Sequence, residues 1–219
     1  MQSITDYTNI ALIICNVAVF WACAVVFIFK LKTYELKSQK RFFLGLALFF
    51  IFWGLMKICF TISNYYKNID LIYYSIYWKI AASLGICGLL SIILVLETYM
   101  VKSKYFFSII TLIGLVLAMT LPISGTEITG ARLASYIFLP LGAISIILLY
   151  LYLYVKLTGK LRHETGLILW GILLIFLGYS VNIELIKKYF DPILLDHISS
   201  IMMICGALLY TLMYYRKKA

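Results

Sequence analysis

The run over residues 72–100, IYYSIYWKIAASLGICGLLSIILVLETYM, constrains the fold more than any other stretch of the chain. A bilayer crossing takes about 20 apolar residues at a rise of about 1.5 Å each. This run exceeds that length, yet it carries Lys79 near one end and Glu97 near the other. Backbone N–H and C=O groups find no water in hydrocarbon, so the run must be helical. Lys79 then lies about two turns inside one boundary, and Glu97 lies close to the opposite one. Their separation of eighteen residues is about five turns, which places Lys79, Ser83, Ile86, Leu90, Ile93 and Glu97 on one stripe. A charge at the bilayer centre costs about 2.5–3.5 kcal/mol on insertion scales, so this stripe is expected to face protein and not lipid.

Six further apolar segments accompany it. The approximate limits of the seven are 8–29, 42–64, 72–100, 105–123, 132–156, 166–186 and 193–215. At 64% hydrophobic and 13% charged, the 219-residue chain is too apolar for a soluble domain of its size. Its formal charge of +10 does not point to nucleic acid, because the basic residues sit between apolar spans instead of forming one surface. The first twenty residues contain Asp6 and no basic n-region, which reads as a first span and not as a cleaved signal.

The basic residues set the orientation. Thirteen fall on one side: Lys30, Lys32, Lys37, Lys40, Arg41, Lys102, Lys104, Lys156, Lys160, Arg162, Arg216, Lys217 and Lys218. Four fall on the other, namely Lys67, Arg132, Lys187 and Lys188, accompanied by Asp6, Asp70, Glu127 and Asp191. The richer side is expected to be cytoplasmic. The fold class expected is therefore all-α: one membrane domain over residues 1–219, a bundle of seven transmembrane helices with the N-terminus outside and the C-terminus cytoplasmic. The expected location is the cell membrane.

Span two runs outward and span three returns, which brings Lys57 and Lys79 to similar depth in the outer half of the membrane. Trp53, Gly54, Thr61 and Asn64 share the face of Lys57, and Ser83 follows Lys79. Span six contributes Ser180 and Glu184, and span seven contributes Asp196, His197, Ser199 and Ser200. Convergence of these faces would give an outward-open pocket with Lys57 and Lys79 as its positive floor, Trp53, Ser83 and His197 in its lining, and Glu184 and Asp196 at its rim. A small anionic molecule or a lipid headgroup suits such a pocket. The competing reading has each lysine snorkel to the outer headgroups and each acid sit at the interface. Glu97, shallow in the membrane, is expected to pair with Lys102 or another cytoplasmic base.

The loop KLKTYELKSQKR, with Lys32, Lys37, Lys40 and Arg41, is expected to meet anionic lipid or an acidic partner. Tyr65, Tyr66, Tyr73, Tyr74, Tyr77 and Trp78 at the outer boundary, and Tyr210, Tyr214 and Tyr215 at the inner one, read as interface belts. Gly85, Gly88, Ala81 and Ala82 permit close helix contact. The five cysteines all lie in apolar segments and form no CxxC pair, and two histidines give no metal-ligand spacing, so no metal or cofactor is expected. The seventh span, ILLDHISSIMMICGALLYTLMYY, has no central lysine for a retinal Schiff base. No nucleophile with base and orienting acid appears, and catalysis is not expected.

The segments FFIFWGLMKICF in span two and YYSIYWKIAASLG leading to VLETYM in span three resemble the seven-helix sensory input modules of some prokaryotic histidine kinases and cyclases. The resemblance covers the first half of the chain. It implies sensing of a membrane or external signal that is passed to a cytoplasmic output domain. Because the sequence stops at Ala219, the output is expected from a separate cytoplasmic or membrane partner, and a homo-oligomer is left open. Three functions follow in order: a receptor-like or sensory membrane protein with an outward-facing ligand pocket; a small transporter or channel lined by Lys57, Lys79, Glu184 and Glu97; and a structural subunit of a membrane assembly.

Overall fold

The computed structural model describes residues 4–101, 103–123, 128, 130–181, 189 and 191–215. Among the described residues there are seven α-helices and no strand: α1 (Ile4–Thr33), α2 (Lys37–Tyr66), α3 (Leu71–Leu96), α4 (Phe106–Thr120), α5 (Ala131–Lys156), α6 (Gly159–Val181) and α7 (Pro192–Tyr215). A π-helical turn, Glu97–Val101, closes α3. All but α4 are long and apolar enough to cross a membrane, the architecture of a multi-pass membrane protein. The fifteen residues of α4 reach about 22 Å at 1.5 Å per residue, short of the ~30 Å hydrocarbon core. Helices α1 and α2 continue about a turn past their apolar limits, and α6 begins seven residues early, because KLRHET extends its first turns.

The chain packs as two units, Ala24–Leu149 and Met1–Cys23 with Tyr150–Ala219. In the first, α2 and α3 form an antiparallel hairpin. Asp70 starts α3 by accepting from the amides of Ile72 (2.8 Å) and Tyr73 (3.3 Å), two of the four donors a helix start leaves orphaned. Small residues let the two helices approach: a Cβ on Gly88 would stand 2.5 Å from Trp53 Cδ1, and one on Gly85 would stand 2.8 Å from Met56 Sδ. The Ser91 hydroxyl donates to Gly45 O at 3.0 Å, and the Ser63 hydroxyl donates to Tyr74 O at 2.8 Å. Leu139 and Leu89 of α5 and α3 meet Gly85 and Gly142 respectively, so α5 runs parallel to α3. Its helix continues through Pro140.

Helix α4 has an inverted pattern. Ser108, Thr111, Gly114 and Ala118 are its buried face, whereas Ile109, Leu112, Ile113, Val116 and Met119 are exposed. Small and polar groups inside with large apolar groups outside is the arrangement expected in lipid, where exposing a methyl group costs nothing and close backbone approach is favoured. In water the same face would be a large apolar patch.

In the second unit, α6 and α7 pack through glycines. A Cβ on Gly171 would meet Tyr210 N at 2.9 Å, one on Gly178 would meet Ser199 O at 2.9 Å, and one on Gly206 would meet Gly171 O at 2.6 Å. Asp191 opens α7 by accepting from Ile193 N at 2.9 Å, with Pro192 at the first helical position, where the missing N–H is not needed.

Candidate functional site

The charged stripe of α3 faces protein. Glu97, Ile86 and Ile93 are buried, while Lys79, Ser83 and Leu90 are half-buried. Its two ends both act on α4. The turn before α4 places Lys104 and Tyr105 in the left-handed region (φ 54° and 62°), and Tyr105 offers no side-chain cap. Glu97 takes over that task. Its Oε1 accepts from Phe107 N at 2.9 Å and its Oε2 accepts from Ser108 N at 2.8 Å. The hydroxyls of Ser103 and Ser108 donate to the same carboxylate. A buried anion at a helix N-terminus with four donors is satisfied both by hydrogen bonding and by the helix dipole. Glu97 is therefore a cap delivered from another helix; Lys102, its expected partner, lies outside the described residues.

Lys79 serves the opposite end. Its Nζ donates at 2.9 Å to the carbonyl of Leu121, the C-cap residue of α4, where carbonyls are left without helical partners and a cation is favoured. From Lys79 to Glu97 α3 rises about 27 Å, enough to bracket an α4 of about 22 Å.

About one turn nearer the start of α3 than Lys79, Arg132 from the start of α5 is fully buried between two rings. Its guanidinium carbon lies 4.9 Å from the Tyr74 ring centroid and 4.7 Å from that of Trp78. Tyr74 and Trp78 are one turn apart, so both rings point the same way. Phe60, Tyr66, Ile123 and Tyr136 pack around this cluster. This corrects the expectation of an aromatic belt. Tyr65 and Tyr73 are exposed as a belt requires, but Tyr74 and Trp78 are core residues that hold Arg132. Sequence reading counted Arg132 only as an outer charge; its signal was an arginine at a helix start with aromatic residues at i, i+4 on another span.

Lys57 is buried on α2, together with Trp53, and Thr61 donates to its carbonyl at 2.9 Å. The α2–α3 register, fixed by Trp53 beside Gly88 and Met56 beside Gly85, sets Lys57 level with Leu84. Lys57 is thus about five positions, or about 7.5 Å, further along α3 from its start than Lys79. The two lysines belong to the unit Ala24–Leu149, whereas Asp196 and His197 belong to the other. Asp196 and His197 are half-buried in the first turns of α7, and His197 Nδ1 lies 2.7 Å from Ile193 O. Glu184 lies outside the described residues.

In the first basic loop Lys32, Lys37, Lys40 and Arg41 are exposed, and Arg41 Nη1 donates to Tyr99 Oη at 3.3 Å. Lys30 instead folds back, its ammonium 5.6 Å from the Phe43 ring.

The second unit contains a tyrosine cluster that joins Tyr210 and Tyr214, two residues expected in the inner belt, to Tyr150. Tyr150 Oη lies 2.8 Å from Tyr210 Oη and 3.0 Å from Tyr214 Oη, all three residues buried. Their hydroxyls satisfy one another instead of reaching the interface. The cysteines are free thiols; Cys23 is buried, with its Sγ 3.7 Å from Ala207 O. Among the described residues no group of three His, Cys, Asp or Glu side chains is placed to hold a metal ion. A groove of about 540 Å³ between α5 and α6 is lined by Arg162, His163 and Trp170, residues absent from the expected site. No family model matches the chain, and neither a curated protein nor a solved structure does so.

Proposed function

We propose that this is a receptor-like or sensory protein of the cell membrane that binds a small anionic or lipidic ligand at Lys57 and signals to a separate partner. The observation that carries it is the burial of Lys57, which is 9% exposed, in an apolar helix of membrane-spanning length. Ionisable groups at such depth are costly and mark ligand or ion sites. Lys79 and Glu97 have structural tasks at the ends of α4, whereas Lys57 lies apart from them on α2, one turn from the buried Trp53. Trp53, one turn away on the same helix, supplies a ring on the face of Lys57. The same division of tasks weighs against a transport path through Lys79 and Glu97.

The topology proposed has seven crossings, an exterior N-terminus and a cytoplasmic C-terminus. It is supported by the thirteen-to-four distribution of basic residues. The parallel course of α3 and α5 supports it too, because it makes α4 the return crossing despite its length. The pocket opens outward, toward the end of α3 that begins at Asp70.

A thermal-shift panel of small carboxylates, phosphates and lipid-headgroup mimics, run on wild type and Lys57→Met, tests the binding role. A compound that stabilises wild type and not the variant supports it. A panel in which every stabilising anion acts equally on both proteins overturns it.

A further inference from the structure

The groove between the end of α5 and the start of α6 has two chemically different ends. At one end lie Arg162 and His163, with the Arg162 guanidinium held 4.8 Å from the Tyr154 ring centroid. Gly166, one turn further, lets the Tyr154 ring pack close against α6, since a Cβ there would stand 3.0 Å from Tyr154 Cε2. Trp170 and Leu173, with Leu151 opposite, make the far end apolar. Arg162 to Leu173 spans eleven residues of helix, about 16 Å. The groove has a volume of about 540 Å³ and is open along one side.

The occupant that matches a cation at one end and about 16 Å of apolar wall beyond it is amphipathic and anionic. We propose that this groove binds an anionic phospholipid of the leaflet that meets the basic loops, its phosphate on Arg162 and an acyl chain along Trp170 and Leu173. A planar guanidinium, fixed by a ring face, presents paired N–H donors that suit a phosphate. Lys156 and Lys160 flank this end and are exposed, which adds to the attraction for anionic headgroups. Glu164, the acid of this segment, does not line the groove. The inference stands apart from the Lys57 site, which is built on α2 and α3.

Tryptophan quenching reads the groove directly. Trp53 and Trp78 are buried, so Trp21 and Trp170 are the tryptophans that lipid reaches; Trp21→Phe leaves Trp170 as the reporter. The protein is placed in phosphatidylcholine bilayers, and bromo-acyl phosphatidylglycerol is compared with bromo-acyl phosphatidylcholine at equal fractions. The expected result is about a fivefold association preference for the anionic lipid, lost in Arg162→Gln, partly kept in Arg162→Lys and retained in Lys40→Gln. Equal quenching by both lipids overturns the proposal. So does equal loss of preference in Lys40→Gln, which would mean general surface attraction, or abolition by millimolar glycerol phosphate, which would mean a soluble occupant.

Discussion

Lys79 and Glu97, eighteen residues apart on α3, hold opposite ends of the same short helix: the ammonium takes the Leu121 carbonyl at the C-terminus of α4, and the carboxylate takes the Phe107 and Ser108 amides at its N-terminus. Each charge opposes the partial charge of the helix end it meets. A helix shorter than the hydrocarbon core is thick is thereby tied to one long enough to cross it.

Removing the Glu97 carboxylate should loosen α4 at its start. Glu97→Ala is expected to cost about 2–4 kcal/mol, combining a lost cap with buried donors left unpaired, and Glu97→Gln about half of that. Hydrogen exchange in α4 should rise first at Phe107 and Ser108. Unchanged protection there would contradict the capping role.

Arg132→Lys keeps the charge but loses the flat guanidinium between Tyr74 and Trp78. A loss of about 1–2 kcal/mol is expected, with a shift in Trp78 emission as its ring loses its stacked partner. A thermal melt matching wild type would show that charge alone suffices at this position.

Two glycines should respond differently to alanine. At Gly88 the new methyl group meets the buried Trp53 ring at 2.5 Å, so α2 and α3 must part, at a cost of about 2 kcal/mol. At Gly159, with φ +60° and open space around it, only backbone strain of about 1 kcal/mol is added. Trp53 emission should change in the first variant and not in the second.

Orientation is open to labelling in intact cells. Cysteine placed at Thr126 should react with an impermeant maleimide from outside, and cysteine placed at Ser38 should not. The reverse pattern would invert the proposed topology.

Much of this architecture was legible in the sequence, since span lengths follow from bilayer thickness and the face of Lys79 and Glu97 follows from helical period. Spacing names a face, however, and not what meets it. The amides that Glu97 accepts belong to a helix start whose own cap position is a left-handed tyrosine, which no apolar pattern reveals. Tyr73 and Tyr74 are neighbours with the same residue type and depth, yet one faces outward and the other packs on Arg132. Only the position of α5 separates them. Lys57 and Lys79 likewise looked equivalent, because depth was counted from span limits instead of from the contacts of Trp53 and Met56 that fix the register.

Thermal melts of Lys57→Met, Lys79→Met and Glu97→Gln in detergent, each with and without an anion that stabilises wild type, test the division of tasks among these charges most directly. Lys79→Met and Glu97→Gln should each lower stability, by about 1–2 kcal/mol, and keep the shift produced by the anion. Lys57→Met should melt close to wild type and lose that shift. A Lys57→Met protein destabilised as much as Glu97→Gln, with its anion shift intact, would contradict the account.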